Sequence, residues 1–284
     1  MTVVALCSVK GSPGVTTLAC LLGAVWPVGT PVVVAECDPA GGDVAERFGL
    51  QGRTGMASFA LAARRGGEPP DVDPHLQYLP GGLEILAGAR QAEAARAVDA
   101  ETGGVDALLR LARDVIVDCG RIAPEASGQR LLLARADAVV IVARSDVSSL
   151  SHVENAAARM RHERSGVVAL ALVTGQRHGL RSAGRALPID LAVAVPDDRA
   201  AAAIVRGEAG SRRRLARSPL VEAAERLRRW IGANTVAASG ASRTALPVAG
   251  QPLPADPAAG WAEPASWARA AGSGVPIEPS GGWP

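Results

Sequence analysis

The stretch VVALCSVKGSPGVTT, residues 3–17, decides the fold of this chain. Its apolar start predicts a buried strand, and the Gly-rich turn after it predicts a connection into a helix. The turn holds Lys10, the one lysine among the 30 Lys and Arg residues of the sequence. Lysine carries a compact point charge, whereas arginine is a wide planar fork, so a narrow phosphate-binding turn admits the first and not the second. The stretch therefore predicts a phosphate-binding loop.

Within this loop, each residue type has a physical role. Gly11 and Gly14 let the backbone approach a phosphate, and the helix that follows offers free N–H groups and its positive dipole end. Thr16 is spaced to bring its hydroxyl to Mg²⁺, and Thr17 is spaced to contact an α-phosphate. A dinucleotide-binding fold would instead need Gly-x-Gly-x-x-Gly after the first strand, a pattern that this turn lacks.

Apolar runs alternate with longer Ala-, Leu- and Arg-rich stretches along most of the chain. The runs are continuous in Val, Ile and Leu, as in parallel strands covered on both faces. We predict strands over 2–8, 31–36, 83–87, 114–118, 138–143, 167–173 and 191–195, and helices over 16–26, 89–112, 125–135, 147–163, 199–206 and 219–232. Residues 51–80 are predicted to be irregular. The alternation predicts an α/β fold: a doubly wound, mostly parallel sheet with helices on both faces.

The composition divides the chain into two parts. Residues 1–232 are predicted to form one domain, and residues 233–284, rich in Ala, Gly, Pro and Ser, a disordered tail. Three of the five tryptophans lie in that tail: Trp261, Trp267 and Trp283. They are either docking points for a protein partner or incidental aromatics in a solvated segment.

Bulk properties narrow the cellular setting. The net charge of +2 points to no acidic partner, and the four cysteines lack metal-ligand spacing. They are interpreted as small buried hydrophobes in a reducing compartment. No signal-peptide pattern and no apolar run of membrane-spanning length is found, so the chain is expected to be cytoplasmic.

Acidic residues follow three further predicted strands. Asp38, in Glu36-Cys37-Asp38-Pro39, follows the second strand, where it could orient a water molecule. Asp118 ends the buried run 114–118 in the pattern that holds Mg²⁺. The late turn at Pro196 and Asp197 could contact a base. Alternatively, Asp38 and Asp197 are ordinary turn residues and Asp118 is a helix N-cap.

These motifs, in this order, resemble the MinD/ParA group of deviant-Walker P-loop ATPases over residues 1–232. The group's signature is K-G-G-x-G-K-T-T, then a strand ending in D-x-D-P, then a strand ending in Asp. The resemblance implies ATP and Mg²⁺ as cofactors, with Thr16 and Asp118 as Mg²⁺ ligands and Asp38 as the switch aspartate. It also implies a nucleotide-dependent homodimer in which Lys10 reaches the partner's ATP. The expected nucleotide contacts are Gly11, Ser12, Gly14, Val15, Thr16, Thr17, Pro196 and Asp197.

Departures from the signature predict altered chemistry. Val15 stands where the second lysine contacts the β- and γ-phosphates, and Thr174-Gly175 replaces the asparagine that reads adenine. Losing one charged contact costs about 1.5–3 kcal/mol of binding, and more in the transition state. We therefore expect ATP binding that is weakened but retained, with slow or absent hydrolysis. The pilus-assembly branch, often called TadZ or CpaE, also tends to lose that lysine.

Three functions remain open from the sequence. The first is a nucleotide switch that positions a partner assembly, and the second a pseudo-ATPase scaffold without turnover. The third, a DNA-binding partition ATPase, rests on the eight arginines of residues 206–229, which a solvated helix face explains better. The apolar stripe of helix 219–232 resembles a peripheral membrane helix, but docking onto the sheet is the better interpretation because a proline-rich tail follows.

Overall fold

A computed structural model describes residues 1–52, 54–64, 67–163, 166–174 and 179–238. Within these residues, the strands are β1 (Val3–Ser8), β2 (Val32–Glu36), β3 (Gln77–Leu79), β4 (Leu83–Leu86), β5 (Asp114–Arg121), β6 (Ala138–Arg144), β7 (Val167–Thr174) and β8 (Leu191–Pro196). They form one sheet in the order β3-β4-β2-β5-β1-β6-β7-β8. Only β3 pairs antiparallel, so the prediction of a mostly parallel sheet is confirmed.

Helices connect these strands and cover the sheet. They are α1 (Val15–Ala24), α2 (Val44–Arg47), α3 (Met56–Ala63), α4 (Ala92–Ala100), α5 (Thr102–Leu108), α6 (Ser127–Arg135), α7 (Val147–Glu163), α8 (Gly179–Ala186), α9 (Arg199–Val205), α10 (Arg212–Ala216) and α11 (Pro219–Ala238). Helices α3 and α5–α8 pack on one face of the sheet, and α1, α9 and α11 pack on the other. The doubly wound architecture is thus as predicted.

The central strands are buried on both faces, which explains their continuous apolar runs. In β1, Val3 and Ala5 belong to the core on one face, while Val4 and Leu6 belong to the core on the other. Strand β1 lies between β5 and β6, and the chain winds outward from it in both directions. The strand order therefore changes direction at β1. In α/β sheets, ligands bind in the crevice at the carboxyl ends of the strands on either side of such a point.

Residues 51–80, predicted to be irregular, contain helix α3 and strand β3. Helix α3 (MASFALAA) has no polar face, so no amphipathic period marks it. Strand β3 has three residues, too few to show alternation, and its pairing with β4 is a tertiary contact. The predicted helix 89–112 is two helices, because the backbone turns at Glu101 (φ −81, ψ 73). Helix α5 then packs closely on α3, where Gly104 meets Ala60.

The closing helix α11 continues beyond the predicted end at residue 232, to Ala238. In its apolar stripe, Leu220, Ala224, Leu227 and Ile231 are at most 4% exposed, as expected for a helix docked on the sheet, and Val221 is half-buried. No described helix combines the length and apolar character needed to cross a bilayer. Residues 239–284, which hold the tail tryptophans, lie outside the described residues. The predicted division at residues 232 and 233 stays a prediction.

Arginines of the 206–229 region are mostly exposed. Arg212, Arg213 and Arg214, on α10, point to solvent. Arg226 donates a hydrogen bond to the Ala194 carbonyl oxygen at 3.3 Å. Such exposure agrees with the solvated-face interpretation, and DNA binding stays an untested alternative.

Candidate functional site

Residues 10–14, in the loop between β1 and α1, have the backbone that the two glycines predict. Gly11 (φ 67) and Gly14 (φ 103) lie in the left-handed region, and no atom lies within 4 Å of a Cβ built on either one. This backbone favours glycine and leaves the loop open to a ligand. The buried Ser8 hydroxyl donates to the Gly11 carbonyl oxygen at 3.3 Å. Gly14 is the N-cap of α1 and supplies no side-chain cap, so the first amides of the helix remain available.

A cavity of about 370 Å³ opens beside this loop. Its volume falls in the range of small-molecule sites. Five predicted nucleotide contacts line it together: Ser12, Gly14, Thr17, Pro196 and Asp197. Its other walls include the carboxyl ends of β6, β7 and β8 and helix α9. The tertiary structure therefore brings the first predicted motif and the last one to one cavity.

Asp118 is a buried acid on the neighbouring strand β5, 1% exposed. Burial raises the pKa of Asp118 to about 7, and the nearby Thr16 hydroxyl and the Gly120 N–H oppose that rise. Oδ1 accepts from the Gly120 N–H at 2.9 Å, whereas Oδ2 has no hydrogen-bond partner. Asp118 lies inside a strand, so the helix N-cap alternative is wrong.

The partnerless oxygen of Asp118 is what a cation site would provide. A buried carboxylate oxygen without a partner is unfavourable unless a ligand or an ion satisfies it. No group of three or more His, Cys, Asp or Glu side chains in the described part of the chain is arranged to hold a metal ion by itself. Asp118 with the neighbouring Thr16 hydroxyl offers two oxygen atoms, the ligand type that Mg²⁺ prefers.

Glu36 anchors the loop that carries Asp38. Its Oε1 accepts from the N–H groups of Asp43 (2.7 Å) and Val44 (3.1 Å), and its Oε2 accepts from Gly88 N–H at 2.9 Å. Burial raises the pKa of Glu36, and the three amides oppose that rise. We name residues 38–43 the β2–α2 loop. Glu36 fixes its far end, a role that the sequence pattern did not reveal.

Asp38 lies at the start of the β2–α2 loop and contacts the backbone that follows Asp118. Its Oδ1 accepts from Ala40 N–H at 2.8 Å, so it is also the turn residue of the alternative interpretation. Burial raises the pKa of Asp38. A Cβ at Gly120 (φ 59) would lie 1.8 Å from Asp38 Oδ2. Asp38 and Asp118 are thus held in neighbouring positions by one glycine.

Gly120→Ala is expected to displace the Asp38 carboxyl group and to destabilise the protein by about 1–3 kcal/mol. The left-handed backbone disfavours alanine, and the added methyl group overlaps the carboxylate. Urea denaturation measures the change. The matched control is Gly103→Ala in α5, where no atom lies within 4 Å of the added Cβ. A Gly120→Ala variant as stable as the control would contradict this geometry.

Gln129, on α6, holds the segment after Asp118 and was not predicted. The residue is 1% exposed. Its Nε2 donates to the carbonyl oxygens of Cys119 (2.6 Å) and Arg121 (2.9 Å), and its Oε1 accepts from Ala123 N–H at 2.8 Å. These three bonds fix the turn from β5 towards α6. The only signal in the sequence is a glutamine on an otherwise apolar helix face.

Neither Val15 nor Lys10 is among the residues that line the cavity. Val15 is 6% exposed and packs in the core with α1, so it presents no polar group to a ligand. Lys10 is exposed, and its Nζ donates to Ser148 Oγ at 2.6 Å, at the start of α7. The described walls of the cavity therefore include neither the lysine of this loop nor a replacement for it at position 15.

The turn after β8 joins the cavity to helix α9. Asp198 caps α9: its Oδ1 accepts from Ala201 N–H at 3.0 Å, and its Oδ2 accepts from the Ser218 hydroxyl at 2.7 Å. Asp197 is exposed at the cavity wall. Thr174 ends β7, and Gly175 lies outside the described residues, so the predicted loss of the adenine contact stays untested.

No model of a known protein family and no curated protein matches the sequence. Solved structures do match the fold. The septum site-determining protein MinD from Pyrococcus horikoshii, complexed with Mg-ADP, is 15% identical, covers 81% of this chain and 95% of its own, and has a TM-score of 0.64. A ParA family ATPase from Chlorobium tepidum is 15% identical, with coverages of 80% and 98% and a TM-score of 0.63.

The MinC:MinD cell division protein complex of Aquifex aeolicus also matches, at 16% identity, with coverages of 88% and 100% and a TM-score of 0.56. At these identities the likeness concerns the fold. This chain has the fold of the MinD/ParA-type P-loop ATPases, which confirms the predicted resemblance at that level. The likeness to the TadZ or CpaE branch stays a prediction.

Proposed function

We propose that this chain is an ATP-binding switch of the MinD/ParA type that dimerises to position a partner assembly and hydrolyses ATP slowly or not at all. The observation that carries the proposal is the buried Asp118 carboxylate, with one oxygen free of partners, beside Thr16 and an open glycine loop. The related folds support it, since one was solved with Mg-ADP and another as a complex of MinD with MinC.

In this proposal, different residues of the chain contact different parts of the nucleotide. The amides and small side chains of residues 11–17 hold the phosphates, and Pro196 and Asp197 contact the base. Thr16 and Asp118 hold Mg²⁺, which supplies positive charge to the phosphate oxygens. Because the cavity has a nucleotide-compatible volume and both motifs line it, one ligand can contact both.

Weak hydrolysis follows from position 15. A valine buried in the core gives no charge to the β- and γ-phosphates, where negative charge must be stabilised as the bond breaks. Asp38 remains available to orient a water molecule, because its carboxyl group is only partly enclosed. A pseudo-ATPase scaffold without turnover is the second candidate, and the burial of Val15 is the observation that favours it.

Dimerisation is assigned to Lys10. Its exposed ammonium group lies outside the cavity walls, so it is better placed to reach a second subunit than its own ligand. To do so it must leave the Ser148 hydroxyl, which is a weak restraint because both groups are exposed. The cargo is proposed to be a pilus, secretion or chromosome-segregation assembly, with the tail as a docking segment.

Lys10→Ala tests the switch. We expect the variant to bind ATP with Mg²⁺ about as tightly as the wild type, because Lys10 does not line the cavity. Its ATP-dependent dimerisation should weaken at least about 10-fold, since a charged contact across the interface is lost. Calorimetric titration measures binding, and sedimentation measures dimerisation.

Ser148→Ala is the matched control, because it releases the lysine without removing it. This variant should dimerise at least as well as the wild type. A Lys10→Ala protein that dimerises normally would overturn the assigned role. A wild type that binds no nucleotide at millimolar concentration would overturn the proposed function as a whole, and one that binds without dimerising would favour the scaffold.

A further inference from the structure

The cavity has a cation that the sequence motif does not include. Arg144 is the last residue of β6, which runs parallel to β1 with Ile141 opposite Cys7. Side chains two apart on a strand share a face, and Val142 and Arg144 both line the cavity. Arg144 therefore extends from the sheet into the same space as Ser12, Gly14 and Thr17.

The guanidinium group of Arg144 is exposed, and no ion pair or side-chain hydrogen bond joins it to any residue of the described ranges. Two further arginines line this cavity. Arg206, just after the end of α9, is paired with Glu208 at 2.8 Å. Arg199, the first residue of α9, is exposed beside the turn after β8 and has no ion pair with a described residue. Arg144 is thus a cation on the strand next to β1, and it has no side-chain partner among the described residues.

Neither Lys10 nor Val15 brings a charge to the walls of the cavity. Val15 is buried in the core, and Lys10 is bonded to Ser148 outside the cavity. A triphosphate at residues 11–17 would meet main-chain amides but no cation from the loop of its own subunit. Arginine is too wide for the turn of a glycine loop, but it can approach from an adjoining strand across an open cavity. There its planar fork can hold two phosphate oxygens at once.

We propose that Arg144 is a phosphate-binding residue that supplies, from β6, the positive charge that Val15 cannot supply. The inference rests on the proposed nucleotide site and assigns the cation of that site to a residue outside the glycine loop. Arg144 would approach the phosphates from β6. It would therefore contribute to binding, but it would not place a charge at position 15, where the group's second lysine lies.

Calorimetric titration of the full chain with ATP, ADP and AMP, each with Mg²⁺, tests this assignment. Arg144→Ala is expected to weaken ATP binding about 10- to 100-fold, the usual range for one charged hydrogen-bonded contact. The loss should be smaller for AMP, because fewer phosphate oxygens are available. It should also shrink at high salt, and Arg144→Lys should restore part of it.

Arg159→Ala is the matched control. Arg159 is exposed on α7, about three turns from the start of that helix, and does not line the cavity. The Arg159→Ala substitution removes the same charge as Arg144→Ala and should leave ATP binding unchanged. Thermal unfolding of both variants checks that they are folded.

The outcomes separate this inference from the proposed function. If the wild type binds ATP and Arg144→Ala binds it equally well, Arg144 has no phosphate role while the nucleotide site stands. An equal loss for ATP, ADP and AMP would indicate a structural effect and would also overturn the inference. If the wild type binds none of the three, the proposed function fails and the assignment of Arg144 fails with it.

Discussion

Asp118→Asn is expected to abolish the magnesium dependence of nucleotide binding while making the free protein more stable at alkaline pH. Asp118 is buried, and one of its carboxylate oxygens has no partner. An amide at this place carries no charge to attract Mg²⁺, so affinity for ATP should become nearly the same with Mg²⁺ and with EDTA. We expect at least a 10-fold loss of affinity in Mg²⁺, or roughly 1.4 kcal/mol or more.

The effect of Asp118→Asn on stability depends on pH, and the raised pKa of Asp118 sets the direction of that dependence. Burial raises the pKa of Asp118 to about 7 in the folded protein, well above its value of about 3.9 in an unfolded chain. The folded state therefore holds the proton more tightly, and this contribution to stability is complete below about pH 4. It is lost as the pH rises through about 7, where the folded protein must hold a buried negative charge.

The variant does not undergo this loss, so its advantage over the wild type should grow from about pH 4 to about pH 7. A gain of about 1–3 kcal/mol in the free energy of unfolding is expected at the upper end, where an unsatisfied buried charge is removed. Glu36 and Asp38 also have raised pKa values, through burial, so the variant should keep a shallower slope of the same sign.

Urea denaturation across this pH range measures the effect, and titration of ATP measures the magnesium dependence. Asp106→Asn is the control, because Asp106 is a surface aspartate paired with Arg110 and Arg135. Its effect should stay near or below about 1 kcal/mol. Unchanged magnesium dependence in Asp118→Asn would remove Asp118 from the site, and a constant stability difference would contradict the raised pKa.

Val15→Lys is expected to tighten ATP binding about 10- to 100-fold and to bring measurable phosphate release. The substitution places a charged donor at the first residue of α1, where the group's second lysine contacts the β- and γ-phosphates. Because Val15 is 6% exposed, the lysine stem must lie along the core while its ammonium group extends into the cavity. A stability loss of about 1–3 kcal/mol should accompany the gain.

Val15→Met is the matched control, since it lengthens the side chain without adding charge. Phosphate release only in Val15→Lys would support the pseudo-ATPase scaffold, and release by the wild type would support a slow switch. If Arg144 acts on the same phosphates, Arg144→Ala should cost less affinity in the Val15→Lys background than alone. Equal behaviour of the lysine and methionine variants would show that no phosphate lies near position 15.

Several parts of the fold were predictable because their signals are local. Seven strands were predicted close to their observed positions, since a strand covered on both faces must be apolar at every residue. Strand β3 and the break at Glu101 were not, because they are fixed by contacts between distant segments: Tyr78 pairs opposite Glu84, and Gly104 packs on Ala60. Helix α3 was missed because it has no polar face to mark a period.

The sequence by itself determined that a glycine loop follows the first strand, that Asp38 follows the second, and that Asp118 lies on a buried strand. Those features depend on residue type and spacing, and the carboxyl ends of parallel strands must meet at one edge. Only the tertiary structure decided that Val15 is in the core, that Lys10 is bonded to Ser148, and that Arg144 lines the cavity. Side-chain direction and charge pairing depend on which segments become neighbours, and one-dimensional spacing does not carry that information.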